Sequence, residues 1–131
     1  ENNSSACQFL GYCYHQKGEM REAVLSLLNS LCYDVPRAEI CCDLGKYFYE
    51  LKCYEQAIFW YAMALSCERN DESGAFISPD CYDYIPYIQL CLCYDAIKDY
   101  KTAKFYNDLA GKCKPNDSSY LYNKRYFERI S

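Results

Sequence analysis

Eleven cysteines and a single histidine are the residues of this 131-residue chain whose types could bind a metal or form disulfides. Zinc sites usually combine Cys-x-x-Cys pairs with further cysteines or histidines. No Cys-x-x-Cys occurs in the sequence, and His15 has no second histidine to join it. The cysteines instead recur at equivalent positions of a repeated residue pattern, as Cys7 and Cys41 do. Free cysteine packs as a small hydrophobe, so we expect reduced packing cysteines in a cytoplasmic protein, with disulfides or a metal as the weaker alternatives.

The other candidates for chemistry are two carboxylate pairs, Asp71/Glu72 and Asp80/Asp83, in or beside a polar stretch. Paired carboxylates can hold a metal ion or hydrogen-bond a sugar, but in a loop we favour solvated charges. No glycine-rich phosphate-binding loop accompanies them. His15 lacks a Cys or Ser partner at a known catalytic spacing, and we expect it on the surface or in a groove. We therefore predict no catalytic residues, no cofactor and no metal site, in a chain that is not an enzyme by itself.

The overall composition excludes several other functions. A formal charge of −4 leaves no basic stripe for phosphates, so nucleic acid is not an expected partner. No apolar run is long enough for a membrane span, and the first residues lack the basic-then-apolar layout of a signal peptide. A chain that opens at Glu1 without an initiator methionine is expected to be a fragment of a longer protein. Its length suits one domain with a moderate core.

A repeated order of residues defines the elements that position these side chains. It occurs as Leu10-Gly11-x-x-Tyr14 with Ala23-x-x-x-Leu27, and again as Leu44-Gly45-x-x-Phe48 with Ala57-x-x-x-Tyr61. The two glycines and the two alanines have the same separation. Apolar residues recur every three or four positions, which is typical of helices. The separation of about 34 residues and the order of these landmarks resemble those of the tetratricopeptide repeat (TPR), in which two antiparallel helices cross at small residues.

A third unit arrives late, because Ala103 follows Ala57 at a longer separation than the one between Ala23 and Ala57. It is also weaker, since Cys91 replaces the glycine and Asn107 stands where an aromatic residue is usual. The resemblance implies an all-α fold, a right-handed TPR α-solenoid of three helix pairs plus a C-terminal capping helix. We expect a single TPR domain over residues 1–131, with repeat 1 at about 4–35, repeat 2 at about 37–69, an insertion at about 70–83, repeat 3 at about 84–116 and the capping helix at about 117–129.

In such a solenoid the first helix of each pair lines the concave face, which commonly binds an extended peptide or a partner helix. The expected lining is mixed, and Lys46 is its only lysine or arginine. It therefore differs from the Lys/Asn/Arg clamp with which chaperone-adaptor repeats hold a C-terminal carboxylate. The predicted contact residues are Gln8, Tyr12, His15, Glu39, Lys46, Tyr49, Ile88, Leu92 and Asp95, with Cys42 and Ile85 beside them.

Longer stretches, spread over about residues 35–128, resemble a more specific group. They include PRAEICCDLG at 36–45, YEQAIFWY at 54–61 and DxxDYIPYIQLCLCYD at 80–95, with further similar stretches at 106–116 and 121–127. Together they resemble the C-terminal TPR region of bacterial family-2 glycosyltransferases, of the kind found in Bacillus and Clostridium relatives. In that family the repeats follow an N-terminal nucleotide-sugar-binding catalytic domain.

The sequence departs from that family at a few positions. Tyr82-Asp83-Tyr84 stands where a Trp-Gly-Phe-like string is expected, and Lys52 and Lys98 replace turn glycines. The family's Asp-x-Asp metal motif has no counterpart in this sequence, so the resemblance assigns a catalytic role to none of its residues.

The resemblance implies a non-catalytic scaffold domain of a glycosyltransferase. Such a domain would pack on its own catalytic domain, pair with a second subunit as a homodimer, or hold a peptide acceptor. The alternative is a free-standing TPR adaptor that binds a peptide in its concave groove. A weaker third hypothesis is direct sugar binding by tyrosines of the insertion, since aromatic rings stack on sugars.

Overall fold

The computed structural model describes residues 3–69 and 78–130, except for the side chain of residue 3. Within those ranges the chain forms helices and no strand. The helices are α1 Asn3–Gln16, α2 Met20–Asn29, α3 Ala38–Glu50, α4 Tyr54–Ser66, α5 Tyr84–Ala96, α6 Tyr100–Cys113 and α7 Ser118–Ile130, with 3-10 turns at Ser30–Cys32 and Pro79–Tyr82. Helices α1 to α6 pack as three consecutive pairs and α7 packs on α6, which confirms the predicted solenoid. None of the described helices is long and apolar enough to cross a membrane.

The two helices of a pair approach closely where the sequence places small residues. In the central pair, a Cβ atom on Gly45 would lie 2.6 Å from the ring of Tyr61, so a larger residue requires the ring or the helix to shift. Ala57 on α4 is fully buried. In the first pair, a Cβ atom on Gly11 would lie 3.2 Å from the side chain of Leu27. The glycine and alanine landmarks therefore mark the helix crossings, as predicted.

Neighbouring pairs are joined by an apolar row on the first helix of the later pair. On α3 the row consists of Ile40, Leu44 and Tyr47, and it forms one cluster with α2 residues that include Ala23 and Leu27. Leu44 and Leu27 are 0% exposed. Because burial of apolar surface is the main favourable term in folding, this row holds the first two pairs together.

The junction between the second and third pairs repeats this arrangement. Leu90 and Cys93 of α5 lie at the positions that Leu44 and Tyr47 occupy in α3, and both are 0% exposed. They share a cluster with α4 residues Ala57, Tyr61 and Ala64. The same positions therefore stack the third pair on the second, although the third repeat comes late in the sequence.

Each helix pair turns through a residue with left-handed backbone conformation. The angle φ is +78° at Gly18, +63° at Lys52 and +68° at Lys98. A non-glycine residue adopts this conformation at a cost of roughly 1–2 kcal/mol. The two lysines that depart from the family pattern therefore occupy positions whose geometry favours glycine.

Helix α7 docks on α6 through polar as well as apolar contacts. Phe127 packs in a cluster with Ala103. Asn107 is 1% exposed, and its Nδ2 donates to the carbonyl oxygen of Tyr120 at 3.2 Å. Asn123 Nδ2 donates to Asn107 Oδ1 at 3.1 Å. Asn107, which replaces the usual aromatic residue, thus binds the capping helix through its amide.

The predicted insertion falls partly outside the described residues, because residues 70–77, with the carboxylate pair at 71 and 72, lie between the two described ranges. The 3-10 turn Pro79–Tyr82 that follows contacts α3, α4 and α5. It buries Cys81, which is 8% exposed. Asp83 then accepts a hydrogen bond from the first backbone N–H of α5, and so it is the N-cap of this helix.

All eleven cysteines are free thiols in the structure. The Sγ atoms of Cys41 and Cys67 are 4.0 Å apart, about twice the length of a disulfide bond. Burial raises the pKa of both Cys91 and Cys93 to about 12, which keeps these thiols protonated. The buried cysteines are Cys41, Cys42, Cys81, Cys91 and Cys93.

Candidate interaction site

Helices α1, α3 and α5 are the first helices of the three pairs, which line the concave face of an α-solenoid, and α7 follows the last pair. The nine predicted contact residues all lie on α1, α3 or α5. Side-chain contacts divide this face into two parts. In the α1–α3 part polar side chains bind one another, and in the α5–α7 part the helices border an open groove.

Gln8 forms one bridge between α1 and α3. Its Nε2 donates to Asp43 Oδ2 at 3.1 Å, and its Oε1 accepts from Arg37 Nη2 at 3.3 Å. Burial raises the pKa of Asp43, against the opposing effects of the Gln8 hydrogen bond and of Lys46. Both ends of the Gln8 amide are therefore engaged within the chain.

His15 forms a second bridge between the same two helices. Its Nε2 lies 2.7 Å from Glu50 Oε1, and its ring stacks on Tyr47 with the centroids 4.6 Å apart. Tyr12 is 54% exposed and Lys46 is also exposed. Among the predicted contacts in the α1–α3 part, Tyr12 and Lys46 are therefore the side chains most accessible to a partner.

Glu39 was predicted on the open face but is 3% exposed. Its carboxylate accepts hydrogen bonds from the Ser78 N–H at 2.7 Å and the Tyr82 hydroxyl at 3.0 Å, and lies 3.6 Å from Arg37 Nη1. Burial and the hydrogen bond to Glu39 raise the pKa of Tyr82 to about 12. Glu39 therefore fastens the last part of the insertion, residues 78–82, to α3. The hydroxyl of Tyr82, a candidate for sugar binding, is used in the same contact.

Tyr49 and Asp95 also make contacts within the chain. Tyr49 is half-buried and meets Tyr54 edge-on, with the centroids 5.3 Å apart. Burial raises the pKa of Tyr49. Asp95 accepts a hydrogen bond from the Tyr126 hydroxyl at 2.8 Å, and this bond links α5 to α7.

An open groove of about 810 Å³ lies between α5 and α7. Two predicted contacts line it, Ile88, which is 6% exposed, and the half-buried Leu92. From α7, Tyr122 is 63% exposed and Arg125 is also exposed. The remaining lining residues are Tyr84, Ile85, Gln89, Asp117, Ser118, Ser119 and Asn123. The structure thus brings Ile88 and Leu92 together in one apolar wall opposite an aromatic ring and a guanidinium group.

The sequence-based set of contacts contained no residue of α7. Tyr122 follows Ile88 by one repeat period, so the spacing that located Ile88 also locates Tyr122. Arg125 stands in the same relation to Cys91. Extending the repeat into the capping helix would have found this side of the groove.

Asp117 fixes α7 at one end of the groove. It accepts hydrogen bonds from the Tyr84 hydroxyl and from two backbone N–H groups in the first turn of α7, at 3.0 and 3.2 Å. These bonds, the Tyr84 hydroxyl first, hold the pKa of Asp117 below its usual range. Asp117 is therefore an N-cap of α7 that also connects this helix to α5.

The fold of the chain is similar to those of solved protein structures. No protein-family model matches the chain, and no curated protein matches its sequence. The Arabidopsis OM64 TPR domain superposes with a TM-score of 0.81 at 16% identity, over 98% of this chain and 97% of that one. The first TPR of Spaghetti (RPAP3), bound to the HSP90 peptide SRMEEVD, gives 0.79 at 14% identity, over 98% and 94%. MamA gives 0.70 at 23% identity, over 87% of this chain and 60% of its own. The chain has the TPR fold.

The side chains on α1, α3, α5 and α7 offer groups for non-covalent contacts. In the part of the chain that the structure describes, no three His, Cys, Asp or Glu side chains come together as metal ligands. The groove presents an aliphatic wall that is largely buried, an exposed aromatic ring and an exposed guanidinium group. Aromatic rings and arginines of this kind are frequent at protein interfaces.

Proposed function

We propose that this TPR chain is a non-catalytic protein-interaction module that binds an extended peptide on its concave face and anchors it in the α5–α7 groove. The observation that carries the proposal is the groove of about 810 Å³ with Ile88 and Leu92 on one wall and the exposed ring of Tyr122 on the other. A few apolar anchors that fill such pockets supply most of the binding energy of an interface. We therefore expect the bound peptide to present an aliphatic or aromatic side chain to the groove.

The charges of the concave face disfavour an acidic peptide in the α1–α3 part. The HSP90 peptide held by the Spaghetti neighbour, SRMEEVD, contains three acidic residues. In this chain, Asp43 and Glu50 lie on α3, and Lys46 is the only lysine or arginine among the predicted contacts. Like charges across an interface weaken binding. The preferred peptide should therefore differ from that of the neighbour, with neutral or basic residues over α3.

We further propose that this module is part of a bacterial family-2 glycosyltransferase that works in the cytoplasm. The support is the resemblance of long stretches, spread over about residues 35–128, to the TPR region of that family. In that setting the concave face would contact the catalytic domain, a second subunit of a homodimer, or a peptide acceptor. The isolated chain should then transfer no sugar and hydrolyse no nucleotide sugar, and measurable turnover by this chain alone would contradict the assignment.

A free-standing TPR adaptor is the second candidate, and the peptide-bound Spaghetti neighbour is the observation in its favour. Reading the coding sequence upstream of Glu1 separates the two. A strand-helix domain with an Asp-x-Asp motif supports the glycosyltransferase, whereas a start codon a few residues upstream supports the adaptor.

Peptide selection against the whole chain tests the groove. Panning a random-peptide library should enrich sequences that share an aliphatic or aromatic residue. Leu92→Asp places a carboxylate on the groove wall, so the affinity of these peptides should fall about ten-fold or more because the charge is desolvated without a partner. Tyr122→Ala should weaken them as well. Phe59→Ala is the matched control, because Phe59 is 54% exposed on α4 and does not line the groove.

Binding is measured by fluorescence anisotropy of labelled peptides, and circular dichroism verifies that each variant is folded. Equal affinity of the selected peptides for wild type and Leu92→Asp would exclude the groove as the binding site. A loss of affinity in Phe59→Ala as large as that in Leu92→Asp would do the same.

A further inference from the structure

Two adjacent cysteines of α3, Cys41 and Cys42, contact different parts of the chain. Cys41 Sγ lies 4.0 Å from the Sγ atom of Cys67, the residue that follows α4. Cys42 Sγ donates a hydrogen bond to the carbonyl oxygen of Cys81, in the 3-10 turn before α5, at 3.5 Å. Neighbouring thiols on one helix therefore contact the chain both before the insertion and at its end.

The contact between Cys41 and Cys67 brings two sulfur atoms together without a bond. A disulfide requires the sulfur atoms to approach to about 2 Å, so one of them must move by about 2 Å. Cys67 can supply this movement because it lies just beyond the last turn of α4, where its backbone is extended with φ −75° and ψ 142°. A change in its side chain does not require α4 to unwind.

The two thiols differ in their access to solvent. Cys41 is 0% exposed, whereas Cys67 is half-buried and lies between the exposed residues Ser66 and Glu68. The Cys67 thiol is within hydrogen-bonding distance of the carbonyl oxygen of Pro36, at 3.3 Å. A small molecule from solution therefore reaches Cys67 first, and the sulfur atom of Cys41 lies directly behind it.

We propose that Cys41 and Cys67 form a reversible disulfide when the protein is exposed to hydrogen peroxide. The Cys67 thiolate attacks one peroxide oxygen, the O–O bond breaks, and the other oxygen leaves as water after taking up a proton. The sulfenic acid formed on Cys67 is then attacked by the sulfur of Cys41, so that the S–S bond forms, the S–O bond breaks and a second water leaves. Two thiols are oxidised to one disulfide while one peroxide is reduced to two waters.

The surroundings of the pair predict a slow reaction at neutral pH. Burial raises the pKa of Cys67, although the hydrogen bond with Cys41 acts in the opposite direction. Burial also raises the pKa of Cys41. Because the thiolate is the nucleophile, both steps should become faster as the pH rises toward these raised pKa values. The pair therefore responds to sustained rather than brief exposure to peroxide.

The disulfide links α3 to the end of α4 and so closes a loop through the second helix pair. A cross-link of this kind lowers the conformational entropy of the unfolded chain, which stabilises the folded one. We expect the oxidised chain to unfold at a temperature about 5–10 °C higher than the reduced chain. Dithiothreitol should reverse the shift.

The experiment uses the full chain with Cys32→Ser and Cys113→Ser, because these two cysteines are exposed and could join two molecules. The chain is treated with hydrogen peroxide, its remaining thiols are alkylated in denaturant, and it is digested with trypsin without reduction. Mass spectrometry should find the tryptic peptides 38–46 and 53–69 joined to each other. The same reaction at several pH values gives the dependence of its rate on pH.

Single substitutions identify the two cysteines, since the first peptide also contains Cys42 and the second also contains Cys53. Cys67→Ser should abolish the cross-link. Cys53→Ser is the matched control, because Cys53 is equally half-buried at the other end of α4, and its cross-link should form as in the parent chain. Cys41→Ala and Cys42→Ala make the same comparison on α3. If circular dichroism shows that Cys41→Ala is unfolded, the Cys67 and Cys53 variants decide.

Four results would overturn the proposal. They are the absence of a cross-link between the two peptides, a disulfide between Cys42 and Cys81 instead, a cross-link that persists in Cys67→Ser, and a cross-link that is lost in Cys53→Ser. A cross-link that depends on Cys41 and Cys67, forms faster at higher pH and is reversed by dithiothreitol supports it.

Discussion

The α2–α3 and α6–α7 junctions occupy equivalent places in the solenoid but are built from different chemistry. At the first, Leu44 lies among apolar residues of α2 and is 0% exposed. At the second, the buried Asn107 and Asn123 bind each other, and Asn107 also binds the backbone of α7. Apolar burial is non-directional. It therefore holds two helices together but allows small shifts of one helix along or around the other. Paired amides bind well in one geometry only.

The polar junction is the one that positions the groove. A slip of α7 by one residue would turn its side chains by about 100° around the helix axis, and Tyr122 would leave the groove. The amides of Asn107 and Asn123, with the carboxylate of Asp117, oppose such a slip because each demands a particular partner. The difference between the junctions is therefore one of function. Apolar rows hold the stack together, and polar contacts set the orientation of the helix that borders the groove.

The largest effect is expected at the apolar junction. Leu44→Ala leaves a cavity under α2 and should lower the free energy of unfolding by about 3 kcal/mol. Leu10→Ala removes the same side chain at the equivalent but half-exposed position, so its cost should be about 1 kcal/mol. Urea unfolding of both variants checks the contrast. Equal losses would mean that Leu10 is already covered in solution.

The repeating part of the fold was predictable because its causes are local in the sequence. The repeat period predicted the helix crossings at Gly45 and Ala57, and the spacing of apolar residues predicted the helices. Both features follow from residue type and position alone. The family resemblance, and not the period, assigned Lys52 and Lys98 to turns that usually contain glycine. Their positive φ angles bear this out.

Contacts that cross repeats irregularly could not be predicted in this way. We expected Glu39 on the open face because it lies on the first helix of its pair, the helix that lines the concave face of a solenoid. Its partners Ser78 and Tyr82 come from the segment that breaks the period, so no spacing rule connects them to Glu39. Asn107 is an exception to the repeat pattern. Its partner Asn123 lies in the capping helix, outside the three repeats, so the pattern does not pair the two residues.

A medium effect is expected at the polar junction. Asn107→Leu leaves the buried amide of Asn123 without its oxygen acceptor, which should cost about 1–3 kcal/mol. The double variant Asn107→Leu/Asn123→Leu has no unpaired amide and should recover part of this loss of stability. It should nevertheless bind the selected peptides more weakly, because the register of α7 is no longer set. Urea unfolding and peptide anisotropy are measured on the same three proteins. A double variant that binds peptide as wild type does would show that the amides play no part in orienting α7.

The smallest effect is expected from the charge of Asp117, and it depends on pH. The folded-state pKa of this carboxyl lies below its usual value of 3.8, so folding favours the ionised form. The resulting stabilisation is fully present above pH 3.8 and is lost as the pH falls through the lower folded-state pKa. Asp117→Asn keeps a capping oxygen but removes the charge, and should cost about 1 kcal/mol at neutral pH.

Tyr84 supplies the control for this prediction, because its hydroxyl is the first cause of the lowered pKa of Asp117. In a Tyr84→Phe background, the cost of Asp117→Asn should shrink, and an NMR titration should show the pKa of Asp117 closer to 3.8. Urea unfolding at several pH values gives both costs. If the cost of Asp117→Asn is the same at all pH values, or is unchanged in the Tyr84→Phe background, the bond between these side chains does not hold α7 to α5, and the orientation of α7 would depend on the amide pair and on the bond between Tyr126 and Asp95.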